Sequence, residues 1–157
     1  MIDKNLIVSQ LVQQLESDLC ALEEVAHSSK EYVTDGDVKP EGKYDTRAIE
    51  ASYLAGAQEK RVEEIKLDLQ MLKDLELHPS SSAQLGSLVK IKFNNEDRLY
   101  FISSTAGGSI VNINGTTVLV ISVFSPIGSE ILNLEANDAF EVETPGGSRH
   151  YQVVAVY

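Results

Sequence analysis

The chain has 157 residues, a net charge of −11, 43% apolar residues and a single cysteine. These values fit an ordinary globular protein: no apolar run approaches the ~20 residues of a membrane span, and one cysteine excludes an internal disulfide. Residues 1–78 hold 17 acids against 9 bases and residues 79–157 hold 7 against 4, so no stretch offers the basic face that duplex nucleic acid requires.

Met1-Ile-Asp-Lys-Asn leads straight into a polar helical pattern with no signal peptide, so a cytoplasmic protein without a membrane partner is expected. Asp3 is a candidate N-cap. Beyond it Val8, Leu11, Leu15, Leu19, Leu22 and Val25 or Ala26 recur at 3 and 4 spacings, which predicts one apolar stripe on a helix of roughly 25–30 residues. Cys20 sits among these residues and is expected to be a buried or half-buried thiol.

Periodicity fades from Ser28-Ser29, and Gly36 and Pro40 break any helix. The stretch Thr34–Asp45 crowds Asp35, Asp37, Glu41 and Asp45 beside Gly36, Pro40 and Gly42, which predicts the acidic tip of a helical hairpin. From Tyr44 to about Leu77 the helical pattern resumes along Ile49, Ala55, Val62, Ile65, Leu69, Leu72 and Leu75 or Glu76. Neither helix hides its stripe alone, so the two are expected to zip into an antiparallel pair spanning residues 1–78. Ala48, Ala51, Ser52, Ala55, Gly56 and Ala57 keep its distal part thin.

His78-Pro79 followed by serines reads as a linker over 79–83, and the period then changes from 3.6 to 2. Strands are predicted at Leu88–Phe93, Arg98–Ile102, Ile110–Ile113, Thr117–Ser122, Ala139–Glu143 and Tyr151–Val156, with a short helix from Pro126 to Leu134. Residues 84–157 thus form an α+β module. The pairs Gly107-Gly108 and Gly146-Gly147 read as hairpin turns, since neither sits between a strand and a long helix as a phosphate cradle does.

A self-contained active site is not visible. His27, His78 and His150 lie singly, and no serine sits in a nucleophile elbow. The tip alone offers chemistry. Asp37 and Glu41 together suit a divalent cation held through oxygen, while a solvated turn with Asp35 and Asp37 as turn formers explains the same residues. A two-helix dimerisation coiled coil is the plain alternative for the whole first half.

Ser125-Pro-Ile-Gly-Ser-Glu-Ile-Leu132, Asn137-Asp138, Thr144-Pro-Gly-Gly147 and Tyr151-Gln-Val-Val-Ala-Val-Tyr157, in that order near the chain end, resemble the closing pattern of the Gre family of bacterial transcription elongation factors. Gly36-Asp37-Val38 with Tyr44, and Ser52-Tyr-Leu-Ala-Gly56, resemble its stalk. The resemblance implies a long antiparallel coiled coil followed by an FKBP-like α+β domain. It implies binding to RNA polymerase, with the globular domain at the rim of the secondary channel and Ser125, Pro126 and Tyr44 facing the partner. Asp37 and Glu41 would then be catalytic groups donated to the polymerase active site, where they share its Mg²⁺. Lys60 and Arg61 would contact the nascent RNA 3′ end. The chain itself is expected to be a monomer with no cofactor of its own and no enzymatic activity.

Two departures stand out. Cleavage-active members carry Glu three residues after the Asp and then Asn, whereas this chain has Pro40, Glu41 and Gly42. The family's basic residue after the second stalk glycine is Ala57 here. A non-cleaving occupant of the channel is therefore the alternative. The FKBP-like fold alone would suggest a prolyl isomerase, but such pockets are aromatic and this chain has no Trp and four Phe.

Overall fold

A computed structural model describes residues 2–35 and 46–157. In chain order these form α1 (Lys4–Asp35), α2 (Thr46–Lys73), β1 (Leu88–Phe93), β2 (Glu96–Ser103), β3 (Ile110–Ile113), β4 (Thr116–Ser122), α3 (Pro126–Ile131), β5 (Ala139–Thr144) and β6 (Gly147–Val156). They fall into two compact units, one of residues 13–70 and one combining 1–12 with 71–157. No described helix is long and apolar enough to cross a membrane.

The 13–70 unit holds most of both helices. Leu15, Leu19, Leu22 and Ala26 of α1 are half-buried, as are Gln58 and Val62 of α2, while Ile65 and Leu69 are buried. The 4-3-4 steps from Gln58 to Leu69 trace one seam. Lys66 Nζ lies 3.5 Å from Glu23 Oε1 and ties one helix to the other. The ten residues between α1 and α2 span at most ~35 Å when extended, less than the ~42 Å length of α2, so the helices return antiparallel.

Several details correct the sequence reading. α1 runs 32 residues, longer than expected. Cys20 is exposed because it follows Leu19 by one residue, about 100° round the helix from the seam. Of the two expected alternatives at the end of the stripe, Ala26 is the half-buried one and Val25 is exposed. Ile49 is 64% exposed because it is out of step with the seam. Ala55 is in step, yet its methyl is too small to close the contact and it too is exposed.

α2 ends at Lys73 rather than near Leu77. After a last turn from Leu75 N to Leu72 O at 3.4 Å, the chain unwinds so that Leu75, Glu76 and Leu77 lie against Gly86. A Cβ at Gly86 would meet Leu77 Cδ2 at 3.1 Å and Glu76 O at 3.2 Å, and its φ of +81° also favours glycine. Tertiary packing overrides helical propensity here.

The second unit is built on a six-stranded mixed sheet in the order β3-β4-β2-β1-β6-β5. All neighbours are antiparallel except β2 and β4, paired from Leu99↔Val118 to Ser103↔Ser122. Asn94-Asn95 and Asn114-Gly115 take positive φ in the two-residue hairpins β1–β2 and β3–β4, the conformation such turns demand. Gly146-Gly147 closes the β5–β6 hairpin as expected. Gly107-Gly108 does not close a hairpin, because β2 and β3 are not neighbours. The pair lies in the connection that carries the chain past β4.

On one sheet face Val89, Ile91, Ile102, Val142, Tyr151 and Val153 pack with Ile131 of α3. On the other, Leu88, Phe101, Val111, Val118 and Val120 are buried, and the same unit contributes buried Ile7, Leu11 and Leu72 from the helix ends. Asp3 caps α1 as expected, accepting from Asn5 N at 2.9 Å. Lys4 Nζ donates to His78 O at 2.9 Å and Tyr157 O at 3.2 Å, and its partial burial lowers its pKa. Past the 79–82 stretch, Ala83 is fully buried, donating to Leu134 O at 2.7 Å and accepting from Asn133 N at 2.8 Å. These bonds and a left-handed Asn133 (φ 66°) stop α3 at Ile131, short of the predicted Leu134.

Candidate functional site

β4 delivers the chain into a tight turn, Ser122–Gly128, that opens α3. Ser125 is the N-cap. Its hydroxyl donates to Ser122 O at 2.7 Å and accepts from Gly128 N at 3.1 Å, and Pro126 follows at the first helical position. Ser122 anchors the other side. Its Oγ accepts from Phe124 N at 3.2 Å and its carbonyl accepts from Ser125 N at 2.9 Å. Val123 N adds a bond to Ser103 O at 2.9 Å.

Two glycines make this closeness possible. A Cβ on Gly128 would overlap the Ser122 carbonyl, and one on Gly107 would fall 2.9 Å from Ser122 Cβ. The backbone is thereby fixed, and Val123 and Ile127 turn inward onto the core. Phe124 turns outward and is 84% exposed.

Beside the turn runs a shallow groove lined by Pro126, Ser129, Glu130, Glu141, Val142 and Glu143. Glu141 accepts a hydrogen bond from Ser148 Oγ and lies 3.6 Å from His150 Nδ1. No lining residue is basic.

Ser125 and Pro126, two of the sequence-predicted partner residues, thus meet in this turn. The Ser125 proton is spent within the turn, so the serine shapes the surface, while Pro126 is exposed. Asp37, Glu41 and Tyr44 lie outside the described residues. Lys60 and Arg61 are exposed on α2, and Arg61 Nη1 pairs with Glu64 at 3.2 Å. Part of the charge that would meet RNA is therefore shared with a carboxylate on the same helix.

Residues 78–157 match the family model described as "Transcription elongation factor, GreA/GreB, C-term". The chain belongs to the GreA/GreB family. Transcription elongation factor GreA of Lachnoclostridium phytofermentans is 28% identical over 98% of this chain and 95% of its own length. Transcription inhibitor protein Gfh1 of Thermus thermophilus is 27% identical over 94% of this chain and 91% of its own. The crystal structure of Thermus aquaticus Gfh1 aligns over 96% of this chain and 91% of its own, at 23% identity and a TM-score of 0.41.

Within this GreA/GreB-family domain, sequence reasoning missed Phe124, the Ser122 anchor and the glutamate groove. The groove was out of reach because α3 and the edge strand β5 are brought together only by the packing of α3 on the sheet. Phe124 carried a legible signal: a large apolar side chain directly before a Ser-Pro cap has no core to enter.

Proposed function

We propose that this chain is a polymerase-binding elongation factor whose helical hairpin enters the secondary channel of RNA polymerase while the α+β domain holds the complex at the rim. Family membership over residues 78–157 carries this reading. It is supported by relatives that match across both halves of the chain and bear transcription-factor names. The polymerase performs the chemistry. Asp37 and Glu41 form a donor set of two carboxylates, which fits a hard divalent cation such as the Mg²⁺ of the partner's active centre. Such a cation supplies charge stabilisation for phosphodiester hydrolysis. The chain's own part is to reach, orient and add negative charge, with Lys60 and Arg61 towards the RNA 3′ end.

A second reading, a non-cleaving channel occupant, draws support from Pro40 and the displaced Glu41 and from the likeness to a transcription inhibitor. Proline fixes φ near −65°, so the tip backbone follows another path. One assay separates the two. The factor is added to a backtracked elongation complex with Mg²⁺, and RNA shortening is scored for wild type and Asp37→Ala. Shortening that depends on Asp37 supports donated catalysis. Equal, unstimulated shortening, with the factor displacing a cleavage-active relative, assigns the inhibitory role.

A further inference from the structure

We infer that the outward face of α2 is a self-association surface, on which a second copy of this chain docks antiparallel through reciprocal Lys60–Glu64 pairs. The inference goes beyond the polymerase-binding reading and does not depend on it.

The physical case starts from the residues that α2 leaves outside its seam with α1. Tyr53, Ala57, Lys60, Glu64 and Leu67 follow one another at 4-3-4-3 spacing, the period of a packed helical seam, and all five are exposed. At 100° per residue they lie within about 40° of the direction opposite Val62, so α2 carries two stripes back to back. The first is buried at Ile65 and Leu69. The second leaves Tyr53 82% and Leu67 58% exposed, with Ile49 beside Tyr53 at 64%.

The order of residues along the second stripe selects its occupant. Reversed end to end and laid on itself about the level of Val62, the stripe sets Lys60 of each copy against Glu64 of the other and the small Ala57 of each against the large Leu67 of the other. A parallel pairing would set lysine on lysine and glutamate on glutamate. Charge and size therefore match in the antiparallel two-fold arrangement, which closes on itself as a dimer. Opposite charges at the centre of such a contact fix its register and orientation at a cost in strength, so the dimer is a reversible one. Arg61 takes Oε2 of Glu64 at 3.2 Å on the same helix, leaving Oε1 for Lys60 of the second copy. Lys60 cannot serve this contact and an RNA 3′ end at once, so the dimer is the form in which the hairpin is withheld.

The test is sedimentation of the full-length chain over a concentration series, in which wild type is expected to pass from monomer to dimer. Lys60→Glu and Glu64→Lys each place four like charges at the centre of the contact and should weaken dimerisation by about tenfold or more. Mixed in equal amounts, the two single variants should form a mixed dimer stronger than either makes alone, because every charge then faces its opposite. Neither variant keeps a Lys–Glu pair at these positions within its own helix, so recovery on mixing comes from contact between chains. Leu67→Ala should weaken the dimer while leaving the unfolding midpoint of the dilute chain unchanged. A wild type that stays monomeric up to about 1 mM, or a mixture no stronger than the single variants, overturns the inference. Core RNA polymerase in excess is expected to dissolve the dimer, and a dimer bound intact overturns the withheld form. A chain that dimerises in this register without binding polymerase removes the functional reading alone.

Discussion

Replacing Gly128 by alanine tests how closely the turn before α3 is built. In a helix the change normally gains ~1 kcal/mol from propensity alone. Here the added methyl meets the Ser122 carbonyl, and overpacking of that kind costs about 1–3 kcal/mol. We therefore expect net destabilisation by urea unfolding, whereas a gain in stability would mean that the turn is open. Ser125→Ala removes the cap and should cost about 1 kcal/mol. Tyr100 is a separate probe of the sheet face beneath α3. Burial, the largest influence, raises its phenol pKa above 10.0, against the lowering effect of Arg98. A raised folded-state value means that the stabilising contribution is complete below about pH 10 and is lost as pH climbs through the folded-state pKa. The ultraviolet titration of wild type minus Tyr100→Phe should show a phenolate step above pH 10; a step at or below it contradicts the burial.

At the scale of elements, the helical seam makes a sharp comparison. Leu69 is buried and Leu67, two residues earlier on the same helix, is 58% exposed. Leu69→Ala should cost about 2–5 kcal/mol and Leu67→Ala within about 0.5, measured by chemical unfolding. Similar losses at both sites would mean that the helices do not pair along this face. Much of this was readable in the chain. The Leu15–Leu19–Leu22 and Val62–Ile65–Leu69 spacings announce the seam, and β1 and β3 begin and end where their alternation does. What escaped was decided by contacts between distant residues. α2 stops early because Leu77 packs on Gly86, and α3 stops early because Ala83 claims the Asn133 amide. Gly107-Gly108 looked like a hairpin because sequence neighbours usually pair, and the parallel β2–β4 pairing sends the chain elsewhere. The candidate site was half legible: Ser125-Pro126 declared itself through capping chemistry, while the Ser122 anchor and the close approach of Gly107 and Gly128 to it needed the fold.

At the scale of the molecule, an acidic stretch in the first half of the chain is joined to a folded domain in the second that matches the family model. The charge distribution fits that division. A chain with 24 acids and 13 bases offers no net positive charge to nucleic-acid phosphates. The central claim is that residues 34–45 reach the polymerase active centre, and radical footprinting tests it most directly. Fe²⁺ replaces Mg²⁺ in that centre, and the hydroxyl radicals formed there cut whatever chain lies beside it. The account predicts cuts in the bound full-length factor between Thr34 and Asp45; a bound factor left uncut in that stretch, or cut only within residues 84–157, would contradict it.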